Sequence, residues 1–216
     1  MEKLPGRKFL VEGNHDGSIR SYGNYFVSVN QILDVKFSPQ RAPILKDNLR
    51  VTMCHYPMVT WNHKPYGSIM LPGPHKGQSK LVYLCDDSVE IDGVRIYGTP
   101  WIADLARWAF YKPEDELAEI YGRIPQRCDI LLTHMPPLAC DAGRVLQHGN
   151  YNTMANYGSQ ALADAISARD IDYALCGHVH TGNHFPEPFG CVRNVVNVSL
   201  KDENYKVAFK PFNFEI

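Results

Sequence analysis

The spacing of apolar and polar positions predicts a chain of short strands and two helices. "KFLVEG" (8–13) is a short apolar run that reads as a buried strand, and "LRVTMCHYP" (49–57) reads as a second, stopped by Pro57. "VEIDGVRIYGTPW" (89–101) alternates on either side of Asp92-Gly93, the dipeptide most favoured in a tight hairpin turn. "PEDELAEIYGRI" (113–124) has apolar residues at helical spacing, Pro113 at its start and acids in its first turn. "GSQALADAISARD" (158–170) predicts the second helix, with Ser159 as its N-cap. "CDILLTHMPP" (128–137) and "DYALCGHVHTG" (172–182) are strands that run into polar loops, and "VRNVVNVSL" (192–200) and "YKVAFKPFNFEI" (205–216) read as late strands. Strands and helices alternate in the second half, which predicts a layered α/β fold.

Composition narrows the class. The 216 residues suffice for one sizeable α/β domain, and 44% hydrophobic with 21% charged residues is ordinary for a globular chain. A formal net charge of −1, without a basic stripe interleaved with aromatics, argues against nucleic acid as a partner. No run approaches a membrane span, and the start has no signal-peptide core, so no membrane association and a cytoplasmic location are expected. The six cysteines lack C-x-x-C spacing and read as reduced thiols.

The candidate chemistry lies at strand ends. "VEGNHD", "LLTHMPP" and "LCGHVHTG" each follow an apolar run with residues able to ligate metal. Sites in α/β sheets assemble beyond the carboxyl ends of the strands. His178 and His180 flank Val179, so a loop can turn both imidazoles to one side. Each motif taken singly is more simply a turn or a structural histidine. Three in order, each after a strand, point to one site.

This ordered set, GNHD, then a strand ending in His-x-Pro, then GHxH, resembles the calcineurin-like metallophosphoesterases. The resemblance implies a layered α/β/β/α sandwich, a dinuclear site for divalent metal (Mn, Fe, Zn or Ni, with Mn favoured), and a small phosphorylated substrate. The implied reaction is hydrolysis of a phosphomonoester or phosphodiester by metal-activated water. By position, Asn14, His134 and His178 resemble ligands of the second metal and His180 a ligand of the first. His15 resembles the residue that stabilises the transition state or protonates the leaving oxygen. Asp16 either orients His15 or caps a following helix.

The family's upstream D-x-H and G-D motifs have no counterpart: the acids before Asn14 are Glu2 and Glu12. The expectation is therefore one domain over 1–216, N-terminally truncated and lacking the first strand or strands, with metal binding impaired for want of a bridging carboxylate. A catalytically inactive binding or interaction module is the second reading. Residues 51–77 carry His55, His63 and His75 and resemble a degenerate duplicate or insertion, with Pro74 and Lys76 where a GHxH would place histidines. Trp101 is expected in the core or at the pocket rim, Asn197 as a hydrogen-bonding support, and Arg144 and His148 in a solvated loop.

Overall fold

The computed structural model describes residues 8–11, 13–14, 52–53, 67–72, 79–146 and 154–216. The hairpin is where the alternation put it. Strands β5 (Asp87–Ile91) and β6 (Val94–Thr99) pair antiparallel across Asp92 and Gly93. Both turn residues have positive φ, 55° and 83°, the left-handed backbone that a two-residue turn needs and that Asp and Gly tolerate.

Strand β6 pairs parallel with β7 (Arg127–Thr133), β7 with β10 (Asp170–Cys176), and β10 with β12 (Val192–Asn197). The antiparallel strands β11 (Glu187–Phe189) and β5 complete a six-stranded sheet, order β11-β12-β10-β7-β6-β5. A four-stranded sheet has the order β1-β4-β3-β2, from β1 (Lys8–Leu10), β2 (Thr52–Met53), β3 (Gly67–Pro72) and β4 (Ser79–Cys85). Strands β8 (Arg144–Leu146) and β9 (Met154–Asn156) form a separate hairpin.

The strand period of two divides the core. Leu131 of β7 faces the helices α1 (Glu114–Tyr121) and α2 (Gln160–Ile166), in a cluster with Leu117, Ile120, Leu162 and Ile166. Its neighbours Ile130 and Leu132 face the other way and pack with Leu84, Val89 and Ile96 between the sheets. Each fully buried leucine or isoleucine contributes about 1.5–3 kcal/mol. The sheets come close together at Gly98, where a Cβ would lie 2.4 Å from Leu84 Cβ. Only glycine permits that approach.

Helix α2 is capped as predicted: Ser159 Oγ accepts from Leu162 N at 3.1 Å, a cap worth about 1 kcal/mol. Glu114 adds a second clamp. Its carboxylate accepts from Ser159 Oγ at 2.8 Å, Gln160 N at 3.0 Å and Ala161 N at 2.9 Å, placing negative charge at the positive end of α2.

The architecture is mixed α/β, as expected, with α, β and β layers among the described residues. Strands β3 and β4 were not anticipated. The expected strand over 205–216 is corrected to coil, joined to the rest by an isolated bridge, Lys201 with Val207. The edge beside β12 is already taken by β11, and Pro211 removes a ladder donor. The segment packs by aromatic contact instead: Phe214 lies 4.2 Å from the Tyr173 ring and Phe209 stacks on His184 at 3.7 Å. Among the described residues, no helix is long and apolar enough to cross a membrane.

Candidate metal centre

The parallel strands β6, β7 and β10 lie side by side and end together. Their following loops are tied by backbone bonds: His134 N donates to Thr99 O at 3.3 Å, and Gly177 N donates to His134 O at 2.9 Å. Residues that follow neighbouring strands are thereby fixed relative to one another, although far apart in sequence.

Asn14, His134 and His178 are brought together. His134 Nε2 lies 2.7 Å from Asn14 Oδ1, and His178 Nδ1 lies 3.3 Å from His134 Nε2 and 3.4 Å from Asn14 Oδ1. The two imidazoles meet edge to face, with centroids 5.0 Å apart. Atoms bound at about 2.1 Å to one cation stand roughly 3.0 Å apart at right angles and roughly 3.4 Å apart at the tetrahedral angle. The three separations therefore have the scale of one coordination shell. Two imidazole nitrogens and an amide oxygen are a donor set that suits a divalent transition metal. Asn14 is buried, so an amide oxygen without a partner there would be costly.

The local backbone explains how the rings arrive. Gly13 lies flat against His134: a Cβ there would stand 2.3 Å from His134 Cε1, 2.5 Å from Nδ1 and 2.7 Å from Nε2. His178 has φ +64°, and Val179 N donates to Gly177 O at 2.6 Å, closing a γ-turn about His178. A non-glycine residue held there stores on the order of 1–3 kcal/mol of strain, characteristically at functional positions.

The turn is held from behind by Asn197, which is buried. Its amide donates to Ala142 O at 3.1 Å and to Val179 O, and its Oδ1 accepts from Ser199 N at 2.9 Å. Asn197 is thus a hydrogen-bonding support, as expected. His180 faces another way within the loop. Its Nδ1 donates to Asp202 O at 2.9 Å, which leaves the lone pair on Nε2, and its ring packs edge-on against Tyr205 at 5.2 Å.

The sequence reading missed Asp104. This carboxylate meets His178 on the side away from the other ligands, with Oδ1 and Oδ2 at 3.0 and 3.1 Å from Nε2. It sits in a loop closed at its base by Ile102 N to Phe110 O and Lys112 N to Ile102 O, both 3.0 Å. Asp86 anchors the same loop, accepting from Thr99 Oγ1 and Trp101 Nε1, each at 2.7 Å. Trp101 is accordingly a core residue, edge-on to Phe110. Arg144 pairs with Asp141 at 2.9 Å on the surface. The residues expected to act in catalysis, His15 and Asp16, lie outside the described residues, as do His55, His63, His75 and His148. Among the described residues, no group of three or more His, Cys, Asp and Glu forms a metal cluster, so the converging set depends on the asparagine.

The buried thiols are poor nucleophiles. Burial pushes Cys128 and Cys140 up to about 11 and raises Cys176 well above the ordinary thiol range.

A profile of calcineurin-like phosphoesterases matches residues 1–182. The chain belongs to the calcineurin-like phosphoesterase family. Human and mouse metallophosphoesterase domain-containing protein 1 are each 45% identical to it over 143 residues, 64% of this chain and 40% of theirs. A UPF0046 protein of Caenorhabditis elegans is 31% identical over 145 residues, 64% of this chain and 33% of its own. The chain thus spans less than half the length of these curated relatives. Metallophosphoesterases are generally hydrolases that bind divalent metals. In this chain the strand-end loops bring Asn14, His134 and His178 within 3.4 Å of one another.

Proposed function

We propose that this chain is a metal-dependent phosphoesterase that hydrolyses a small phosphomonoester or phosphodiester. The observation that carries the reading is the mutual spacing of Asn14 Oδ1, His134 Nε2 and His178 Nδ1, three donor atoms 2.7 to 3.4 Å apart. These three would hold one divalent cation, with Mn²⁺ favoured, and His180 Nε2 would serve a second. When bound, the cations supply Lewis-acid polarisation of the phosphoryl group and an activated water. The protein's own part is to hold the ligands in place, and His15, next to Asn14 in sequence, would stabilise the transition state or protonate the leaving oxygen. The location proposed is cytoplasmic.

The test is hydrolysis of bis-p-nitrophenyl phosphate and p-nitrophenyl phosphate by chelator-stripped protein with and without Mn²⁺. Turnover that needs Mn²⁺ and disappears in His178→Ala is the expected result. Full activity in His178→Ala would overturn the assignment. The lack of a His/Cys/Asp/Glu cluster among the described residues favours a second reading, an inactive binding module. Tight Mn²⁺ binding without turnover of either ester would decide for it.

A further inference from the structure

We infer that Asp104 is the positioning residue that selects the tautomer of His178, and so aims the Nδ1 lone pair at the point where Asn14 and His134 converge. The inference rests on the phosphoesterase reading for its purpose, and on geometry for its content. Both Asp104 carboxylate oxygens lie within 3.1 Å of His178 Nε2. A carboxylate accepts only, and a lone pair on Nε2 would be repelled by it, so Nε2 carries the proton. In the neutral ring, Nδ1 is then the lone-pair atom. That atom is the one 3.3 Å from His134 Nε2 and 3.4 Å from Asn14 Oδ1.

The contact is well placed to act this way. The His178 side chain is 7% exposed and that of Asp104 is 32% exposed, so solvent competes little for the Nε2 proton. The γ-turn fixes where the ring starts, and the closed loop from Ile102 to Phe110 fixes where the carboxylate stands. Ala103 N donates to Met135 Sδ at 3.2 Å, tying that loop to the segment just after His134. Carboxylates that hold the far nitrogen of a ligating histidine typically change metal affinity 10–100-fold when removed.

The experiment pairs a readout that needs no metal with one that does. Nitrogen-15 long-range correlation spectra of the metal-free protein, at about pH 8 where an ordinary imidazole is neutral, report which nitrogen of His178 holds the proton. Wild type should show the Nε2–H form. Asp104→Asn and Asp104→Ala should shift His178 toward a mixture, and Mn²⁺ affinity by calorimetry should fall by about 10–100-fold while the thermal melt of the metal-free protein stays close to wild type. An Nδ1–H form in wild type, or an unchanged tautomer in both variants, would overturn the assignment. If wild type shows the Nε2–H form, the variants lose it and no Mn²⁺ binds, the Asp104 assignment is supported and the phosphoesterase reading fails instead.

Discussion

Gly13→Ala is a one-carbon change that should damage the metal centre without touching a ligand. The added Cβ would lie 2.3 Å from His134 Cε1 and within 2.7 Å of both ring nitrogens. Carbon atoms in ordinary contact are about 3.5 Å apart, so the ring must retreat by roughly 1 Å. Ligand distances in a metal site tolerate only about 0.2 Å, so His134 Nε2 would leave the shell it shares with Asn14 Oδ1. Affinity for Mn²⁺ should fall at least as far as when an outer partner is lost, by about 10–100-fold. Overpacking should cost about 1–3 kcal/mol in the metal-free protein. Calorimetric titration with Mn²⁺ measures the first effect and urea unfolding in chelator the second. A Gly13→Ala protein that binds Mn²⁺ as tightly as wild type would refute the packing argument, because His134 would then have no need of the bare glycine.

Three further outcomes are expected. Asn197→Ala removes donors to Ala142 O and Val179 O and the acceptor for Ser199 N, and should lower stability by about 3 kcal/mol in urea unfolding; a loss below about 1 kcal/mol would mean the histidine turn does not depend on it. Alkaline pH should destabilise the fold: Cys128 and Cys140 are pushed up to about 11 by burial, whereas unfolded thiols ionise near about 8.5. Their contribution is complete below that lower value and is lost as pH rises toward the upper one, at about 1.4 kcal/mol per pH unit per thiol, so the urea midpoint should fall steadily from about pH 9 to 10; a flat midpoint would contradict the burial. Under native conditions Ellman's reagent should modify Cys191, which is exposed, and spare Cys85, Cys128, Cys140 and Cys176 until urea is added; fast reaction of all four would show that this core opens readily.

Much of the fold was legible because local chemistry fixed it. Asp92-Gly93 between two alternating runs reads as a tight turn, and Ser159 before an apolar helical face reads as a cap, and both are found so. The strand ends were legible for a similar reason: an apolar run that stops in Gly-Asn-His or Gly-His-x-His changes character abruptly, and the parallel neighbours β7 and β10 bring His134 and His178 together, while Asn14 reaches them from the other sheet. Asp104 was not legible. It is 74 residues from His178 in sequence, in a loop whose shape depends on Asp86, Trp101 and Phe110, and no spacing rule links it to the histidine. The C-terminal segment misled because its alternation is real; its aromatics pack on Tyr173 and His184 instead, and the edge beside β12 is taken by β11. Strand β4, "SKLVYLC", went unread, although its β-branched and aromatic run carried the signal.

If Asn14, His134 and His178 hold one divalent cation, as proposed, the ion's ligands can be counted directly. X-ray absorption at the Mn edge, on protein loaded with one equivalent of Mn²⁺, counts the imidazoles bound to the ion. Two are expected in wild type and one in either His134→Ala or His178→Ala, with weaker loading in Asn14→Ala. An imidazole count that is the same in wild type and both histidine variants would contradict it.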